Sequence, residues 1–290
     1  DVLGSVPGFY TSRDRNYTYL GVRGFSRPSD YNSRFLMLVD GHRVNENFYG
    51  GAFVGTEGLL DLELIERIEI IRGPSSSWYG TSAFFAVVNV VTRKPGDLPT
   101  LQIGAMGASY GTSAGRLTFA RSFAGGLRLL ASGAAYRSHG QRLFYKEYDD
   151  PLTHNGISEN SDDDQYYRFF STLTFRDWTV QMAFNSREKG IPTGAYETPF
   201  NDAGARTLDT RSYLDVKYEH AFAGGANLEA RAYFDRYYYR GDYPYYSPYP
   251  TILLYREHSW GDGWGTEAKV TMKPGRKQIL TAGVDYQGNL

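Results

Sequence analysis

The sequence lacks cysteine, an excess of either charge and long apolar runs. Without cysteine it has no disulfide bond, thiolate metal site or cysteine nucleophile. Its 31 basic and 32 acidic side chains nearly cancel, which gives no electrostatic support for nucleic-acid binding. Because no segment approaches the roughly 18 apolar residues of a membrane-spanning helix, a helical membrane protein is excluded.

Catalytic and metal-binding patterns are missing as well. The five histidines are scattered, and the sequence has no His-Glu-x-x-His, Gly-x-Ser-x-Gly or P-loop pattern. We therefore expect neither an enzyme nor a cofactor nor a metal centre. Asp149, Asp150 and Glu159 with Asp162–Asp164 offer oxygen ligands that calcium accepts, but the spacing fits no calcium loop. A solvated acidic loop is the preferred interpretation, and calcium binding stays open.

Tyrosine and glycine are abundant. The sequence contains 25 tyrosines and 33 glycines at a mean hydropathy of only -0.47. Soluble cores favour leucine, isoleucine and valine over tyrosine. An excess of tyrosine suits an interface at which one end of the ring is apolar and the other is wet. A membrane β-barrel fits this composition, because its strands alternate and produce no long apolar run.

Residues 97–290 alternate between apolar and polar side chains, which is the period of strands with two unlike faces. We predict nine strands, near residues 100–109, 112–123, 127–138, 166–176, 178–188, 210–222, 227–240, 259–273 and 278–288. In two of these strands the residues predicted to face lipid are Leu214, Val216, Leu228, Ala230, Ala232 and Phe234. The residues predicted to face the barrel lumen are Asp215, Lys217, Glu229 and Arg231.

The connections between these strands alternate in length. Tight turns are predicted near residues 124–126, 177 and 223–226, and long connections near 139–165, 189–209 and 241–258. Antiparallel strands place every second connection at the same rim, so one rim has short turns and the other long loops, as in outer-membrane barrels. Three charges in the apolar register are expected near strand ends, where charge is tolerated: Arg121, His220 and Arg236. A soluble β-sandwich is the alternative interpretation.

The first part of the chain is predicted to form a small α/β domain. We expect a buried strand over Phe35–Val39, followed by a tight hairpin turn at Asp40 and Gly41. A short helix is predicted over Leu59–Glu66 and a strand over Arg67–Ile71. A further strand over Ala83–Thr92 is apolar on both faces and should be buried on both sides.

Several motifs of this first domain resemble the plug of TonB-dependent outer-membrane receptors. In order, they are Val22–Phe25, Phe35–Asn45, Leu64–Pro74, Trp78–Phe84 and Val87–Thr92. The run Glu-Arg-x-Glu-x-x-Arg-Gly-Pro is specific within this set. The resemblance implies a plug over residues 1–96 inside a transmembrane β-barrel of about 22 strands, with residues 97–290 supplying its N-terminal part. Because bacterial barrels have even strand numbers, we expect the natural chain to continue past Leu290.

The resemblance also implies a location, partners and a function. It implies a receptor of the cell outer membrane, in contact with lipid, that imports a scarce nutrient such as siderophore-bound iron, cobalamin or a sugar. TonB would supply the energy by pairing with a box upstream of the plug, and nothing at Asp1–Gly8 matches that box. A receptor that signals or adheres without import is the alternative.

Candidate site residues also follow from the resemblance. The family turns two plug segments outward, here 26–32 and 45–58, and these mix rings with hydrogen-bonding groups as ligand sites do. The residues expected to bind ligand are Arg27, Asp30, Tyr31, Asn32, Asn47, Phe48, Tyr49 and Phe53. The charges expected to lock the plug to the polar wall are Arg23, Glu66, Glu69 and Arg72. The ring-rich stretch Tyr237–Pro250 either stacks on cargo or forms an outer aromatic belt, and both interpretations stay open.

Overall fold

The structure, a computed structural model, describes residues 2–26, 29–275 and 277–290. It consists of a small N-terminal unit, called the plug below, and one curved nine-stranded sheet, called the wall. The last plug strand ends at Thr92 and the first wall strand begins at Leu101. Within the described ranges, no helix is long and apolar enough to cross a membrane.

The plug contains a two-stranded hairpin and a four-stranded mixed sheet. Its strands are β1 (Phe9–Arg13), β2 (Thr18–Val22), β3 (Phe35–Val39), β4 (His42–Arg43), β5 (Ile65–Arg72) and β6 (Ala86–Thr92). The four-stranded sheet has the order β4-β3-β6-β5, in which β3 and β6 run parallel. A one-turn helix α1 spans Ser76–Tyr79, and 3-10 turns span Leu3–Ser5, Leu62–Leu64 and Pro95–Asp97.

The β3–β4 turn is formed as predicted. Asp40 and Gly41 both have positive φ, 48° and 80°, which is the backbone conformation of a tight hairpin turn. The carboxylate of Asp40 accepts hydrogen bonds from the backbone N–H and the hydroxyl of Thr92, at 2.9 and 2.6 Å. This ties the turn to the end of β6, which is buried along most of its length as predicted.

The helix predicted over Leu59–Glu66 is wrong. Only a 3-10 turn at Leu62–Leu64 forms, capped by the Asp61 carboxylate, which accepts a hydrogen bond from the Glu63 N–H. Strand β5 then begins at Ile65 and pairs antiparallel with the valine-rich β6. Cross-strand packing of β-branched side chains therefore outweighs the local helical pattern.

The wall has nine antiparallel strands in sequential order, each paired with its neighbours in the chain. They are β7 (Leu101–Ala108), β8 (Thr112–Ser122), β9 (Leu127–Ser138), β12 (Asp164–Phe175), β13 (Trp178–Gly190), β14 (Arg206–Ala221), β15 (Asn227–Tyr246), β16 (Ile252–Gly275) and β17 (Gln278–Asn289). The predicted set of nine strands is confirmed. The single continuous sheet contradicts the sandwich alternative, which requires two packed sheets.

The long loops carry little regular structure of their own. The loop between β9 and β12 contains the short hairpin β10 (Leu143–Phe144) and β11 (Ile157–Ser158), with 3-10 turns at Lys146–Tyr148 and Pro151–Gly156. The loop between β13 and β14 contains a 3-10 turn at Ala195–Glu197. The long connection predicted over residues 241–258 is wrong, because β15 and β16 continue their ladder as far as Tyr246 and Ile252.

The two faces of the wall are as predicted. On β14 the side chain of Leu214 is 41% exposed, whereas that of Asp215 is 4% exposed and faces the plug. On β15 the same alternation places Phe234 outward and buries Asp235 inward. A patch of inward side chains, including Leu130, packs against the apolar core of the plug. The plug therefore lies against the inner, mostly polar face of the wall.

One of the three charges in the outward register lies where we did not expect it. Arg121 lies next to the strand end at Ser122, and His220 next to Ala221. Arg236, in contrast, lies in the middle of β15, because that strand extends ten residues further than its position. It makes a two-pronged ion pair with Asp262 on β16, at 2.7 Å for both contacts. The charge is thus neutralised on the outer face of the strands rather than placed at a strand end.

Candidate functional site

A cavity of about 250 Å³ lies between the plug and the upper part of the wall. Its lining is dominated by aromatic rings and is completed by two carboxylates and a hydroxyl. The lining residues are Tyr17, Tyr31, Glu46, Phe48, Tyr49, Phe53, Tyr196, Tyr237, Tyr239, Tyr243, Tyr245, Tyr255, Glu257 and Ser259. We call this space the aromatic cavity. It lies on the side of the long loops, since Tyr196 belongs to the loop between β13 and β14.

The plug loop that enters this cavity is held by a buried carboxylate. Glu46 accepts hydrogen bonds from the N–H groups of Phe48, Tyr49 and Gly51, at 2.5, 2.8 and 2.6 Å. Asn45 fixes the base of the same loop by donating to the carbonyl oxygens of Phe35 and Gly50. The rings of Phe48 and Tyr49 stand at the tip, and Tyr49 is 61% exposed. The loop is therefore a preformed support for two accessible rings.

The rings of plug and wall interlock around the cavity. Within the plug, Tyr31 lies 5.4 Å from Tyr17 in an edge-to-face arrangement and 5.8 Å from Tyr49, measured between ring centroids. Phe53 lies 5.8 Å from Tyr237 of the wall. Aromatic pairs at these distances attract one another beyond their area burial. These ring contacts connect the plug rings with one another and with the wall at Tyr237.

Three tyrosine hydroxyls of the plug and loops stay protonated at neutral pH. The Tyr49 ring is largely exposed, but partial desolvation of its hydroxyl raises the pKa of Tyr49, and the nearby charge of Glu257 adds to the effect. Burial likewise raises the pKa of Tyr19, whose hydroxyl donates to Asp14 at 2.8 Å, and of Tyr196. These groups are therefore hydrogen-bond donors as well as apolar surfaces.

The residues predicted to bind ligand divide into two groups. Tyr31, Phe48, Tyr49 and Phe53 come together in the aromatic cavity. Asn32 does not face it: its side chain is 3% exposed, accepts from the Leu20 N–H and donates to the carbonyl oxygens of Thr18 and Ala52. Asn32 thus holds plug segments together. From the sequence alone, an asparagine in a loop does not show whether its side chain holds plug segments together or contacts a ligand.

The other predicted ligand residues lie beside the cavity or outside the described part of the chain. The Asp30 carboxylate accepts from the Asn32 N–H at 3.0 Å and lies 3.8 Å from the Arg34 guanidinium. Asn47 lies against Gly261 and Gly263 of β16, and a side chain at Gly263 would collide with the Asn47 amide. Arg27 lies outside the described residues. Ligand contact by Asp30, Asn47 and Arg27 stays a prediction.

The rings of the stretch Tyr237–Pro250 that lie in β15 are divided between the two faces of that strand by the alternation of side chains along it. Tyr237, Tyr239, Tyr243 and Tyr245 point inward and line the aromatic cavity. Tyr238 lies on the outward face and its hydroxyl is 2.8 Å from the Nδ1 atom of His258. Both interpretations of this stretch therefore find residues in suitable positions, on opposite faces of one strand.

A second cavity of about 830 Å³ lies between the plug and strands β8 to β14. Its lining includes the charged side chains of Arg168, Arg187 and Lys189. It shares Tyr17 and Phe53 with the aromatic cavity, and these two rings stack at 6.0 Å. The stacked pair therefore lies at the boundary between the two cavities.

One plug–wall interface is centred on the β3–β4 turn. His42 is 0% exposed, and its Nε2 atom lies 3.1 Å from the Asp235 carboxylate while its Nδ1 atom lies 3.7 Å from Asp215. Arg231 of β15 donates to the carbonyl oxygens of Asp40 and Gly41 at 3.2 and 2.8 Å. The turn is thus enclosed by opposite charges of the wall.

A second interface joins the β1–β2 turn to the wall. Arg187 donates to the backbone carbonyl of Asn16 at 2.8 Å, and the Thr207 hydroxyl donates to the Asn16 side chain at 3.0 Å. The hydroxyls of Tyr17 and Tyr237 both donate to Asp209, at 2.9 and 2.8 Å. One wall carboxylate therefore connects a plug ring with a wall ring at the floor of the aromatic cavity.

A third interface holds the plug segment 55–60. The guanidinium of Arg168 donates to the carbonyl oxygens of Thr56 at 2.6 Å and Leu60 at 3.1 Å. Asn185 donates to the carbonyl oxygen of Glu57 at 2.8 Å. A planar guanidinium suits such a fork of acceptors better than an ammonium does. This segment is therefore anchored through its backbone, which no sequence pattern reveals.

The four residues predicted to lock the plug make their identified contacts inside it. Arg67 joins Glu66 and Glu69 by ion pairs of 3.0 and 2.8 Å, all on the surface of β5. Arg72 donates to the carbonyl oxygen of Pro7 at 3.0 Å, and Arg23 is exposed. Locking by Arg23, Glu66, Glu69 and Arg72 stays a prediction, and the described wall uses other plug residues.

The acidic loop residues are engaged by basic partners. Asp162 accepts from Lys189 at 2.7 Å, Asp164 from Arg187 at 3.1 Å, and Asp163 pairs with Arg206. Within residues 2–26, 29–275 and 277–290 there is no group of three or more acidic, histidine or cysteine side chains with metal-site geometry. The acidic cluster therefore serves the loop network rather than forming the solvated loop that we expected.

Comparison with known proteins relates the plug to a described domain family. A family model described as the TonB-dependent receptor plug domain matches residues 1–87. The iron-regulated outer membrane virulence protein of Vibrio cholerae is 39% identical over 98 residues, which is 32% of this chain and 14% of that protein. The vitamin B12 transporter BtuB of Vibrio vulnificus is 31% identical over 137 residues, 46% of this chain and 21% of that protein. Residues 1–87 therefore match the plug family, and the chain is similar to TonB-dependent receptors. It is a chain of the outer membrane, and the two relatives are named as an outer-membrane virulence protein and a vitamin transporter.

Solved receptors share the fold over nearly the whole chain. The pyoverdine receptor FpvA of Pseudomonas aeruginosa superposes with a TM-score of 0.68 at 15% identity, covering 99% of this chain and 43% of that structure. The FrpB iron transporter of Neisseria meningitidis gives 0.70 at 15% identity, covering 99% of this chain and 46% of that structure. The predicted fold class, a partial transmembrane β-barrel with a plug, is confirmed. The chain spans less than half the length of these structures and about a fifth or less of the two relatives named above.

Proposed function

We propose that this TonB-dependent receptor binds a scarce nutrient in the aromatic cavity and imports it with energy supplied through TonB. The observation that carries the proposal is the cavity itself, built jointly by the plug loop with Tyr49 and by the wall with Tyr243. A ligand held there touches both the part that must move and the part that stays. Relatives with similar plugs bear the names of a vitamin B12 transporter and an iron-regulated outer-membrane protein.

The need for external energy follows from the interfaces below the cavity. The plug is held by buried contacts such as those of His42 with Asp235 and of Arg168 with Thr56. A ligand bound at nanomolar affinity is itself held by about 12 kcal/mol. Release toward the inside therefore requires the plug contacts to be broken while the ligand leaves. We propose that TonB does this work by strand pairing with the receptor.

Uptake and binding measured in the same cells test this proposal. Cells making the full-length receptor would be offered labelled ferric siderophores and cobalamin, with TonB present and with its gene deleted. We expect one of these nutrients to bind in both strains and to accumulate only with TonB. Undiminished accumulation without TonB would contradict the energised mechanism. Binding without accumulation in either strain would favour a receptor that signals or adheres without import.

A further inference from the structure

One carboxylate of the aromatic cavity, that of Glu257, has no hydrogen-bond or ion-pair partner among the described residues. Glu257 lies on the inward face of β16, opposite Gly241 of β15. A side chain at Gly241 would collide with the ring of Tyr243, so the glycine makes room for that ring beside Glu257. The absence of a side chain at Gly241 therefore allows the Glu257 carboxylate and the Tyr243 ring to lie side by side.

The nearby acids of the same strands are paired, whereas Glu257 is not. Asp242 accepts from Arg256 at 2.6 Å and Asp262 accepts from Arg236 at 2.7 Å, both on the outer face. For Glu257 the described residues provide no hydrogen bond and no ion pair, although it is half-buried. A half-buried carboxylate without a partner is a position at which a ligand group can complete the pairing.

The rest of the cavity lining contributes a second negative charge and no positive side chain among the described residues. Glu46 is the second carboxylate, and its oxygens are already occupied by backbone N–H groups of the loop. Among the lining residues that the structure describes there is no lysine or arginine. The faces of tyrosine and phenylalanine rings attract cations as well. Burial and the proximity of Glu257 together raise the pKa of Tyr49, which agrees with a negatively polarised space.

We propose that Glu257 receives a positively charged group of the cargo, an ammonium or a similar cationic donor, between the rings of Tyr49, Tyr243 and Tyr255. The cavity then selects an amphipathic cation with a flat apolar part over its neutral and anionic analogues. This inference rests on the proposed function, because it assigns the charge of the cargo that the aromatic cavity holds.

Three small probes that differ mainly in charge test the inference. Tryptamine, indole-3-ethanol and indole-3-acetate share a ring system and carry a cation, a neutral group and an anion. Their affinities for the purified full-length receptor in detergent would be measured by ligand-observed NMR. We expect tryptamine to bind about tenfold more tightly than indole-3-acetate, which corresponds to one charge-assisted contact. Glu257→Gln should remove that preference.

A matched variant serves as the control. Glu229→Gln makes the same change on the inner face of β15, where Glu229 is paired with Lys269 away from the cavity, and should keep the preference. Equal affinities for the three probes, no binding of any of them, or an unchanged preference in Glu257→Gln would overturn the inference. If nutrient uptake persists without any cation preference, this inference fails and the proposed function stands. If the preference is present but no nutrient is bound or imported, the proposed function fails instead.

Discussion

The Nε2 atom of His42, in the plug, lies 3.1 Å from the Asp235 carboxylate of the wall. His42 is fully buried, and its other ring nitrogen faces Asp215 at 3.7 Å. Arg211 approaches the same Asp235 at 3.5 Å and donates to the carbonyl oxygen of Asn45 at 2.6 Å. The start of the return strand in the plug is therefore bound to the wall by a compact group of charged and polar side chains.

Replacing His42 by alanine should loosen the plug without unfolding the wall. The change removes a buried hydrogen-bond partner from Asp235, which keeps Arg211, and losing such a partner typically costs roughly 1–3 kcal/mol. The stability of the plug would be measured by urea titration, monitored through hydrogen exchange of the plug strands. His220→Ala on the outer face should have little effect, because its pair with Asp177 is about 40% exposed on both sides. Equal stability of the plug in both variants would contradict this interface.

The outward face of the wall should be intolerant of charge. Leu228→Arg places a charge in the apolar band and should reduce the folding free energy in lipid by ~2–4 kcal/mol if it lies near the midplane. Glu229→Gln, one residue further on the inward face, should cost little, since its ion pair with Lys269 is partly exposed. Folding titrations in lipid vesicles compare the two. Two equally mild changes would mean that the faces are assigned incorrectly.

Arg168 should control the mobility of plug segment 55–60. Arg168→Lys keeps the charge but cannot donate to the Thr56 and Leu60 carbonyl oxygens in the same planar fork. We expect faster hydrogen exchange in residues 55–60, while exchange in the β3–β6 sheet stays unchanged. A matched change, Arg236→Lys, affects an outward ion pair and should leave the segment as it is. Unaltered exchange of residues 55–60 in Arg168→Lys would contradict the role of Arg168 in holding this segment.

Asn32 should matter for stability rather than for ligand binding. Its amide joins three plug segments, so Asn32→Ala removes one hydrogen-bond partner from the Leu20 N–H and from the carbonyl groups of Thr18 and Ala52. Each unsatisfied buried group costs roughly 1–3 kcal/mol. The thermal midpoint of the plug should fall, while cargo affinity of the folded fraction stays near the wild-type value. A loss of affinity with unchanged stability would return Asn32 to the ligand site.

The sequence predicted the wall well because alternation has one simple physical cause. Leu214 and Asp215 are neighbours whose opposite exposure follows from the strand period alone. The plug motifs likewise predicted β3, its turn at Asp40 and the buried β6. The helix predicted near Leu62 failed because pairing of β5 with β6, which is distant in sequence, decided the local structure.

The candidate site was predicted in part from outward plug loops with aromatic residues. The structure brings Tyr31 and Tyr49 together in the aromatic cavity, and ligand contact by them stays a prediction. His42, Asp209 and Arg168 were missed, since their roles depend on partners more than a hundred residues away, and several of those partners are backbone carbonyl groups. Glu257 was missed because it was assigned to a loop, whereas it lies on a strand that continues beyond the expected end.

The measurement that tests the account most directly is equilibrium binding of the identified nutrient to cells carrying the receptor with Tyr31, Tyr49 and Phe53 all replaced by alanine, in a strain without TonB. This strain isolates binding from transport. A ring that anchors a ligand typically contributes about 2 kcal/mol or more, so the account predicts at least a thirtyfold loss of affinity at an unchanged amount of folded receptor. Wild-type affinity in the triple variant would contradict the aromatic cavity as the binding site and would leave the long loops of the wall as the place where the nutrient binds.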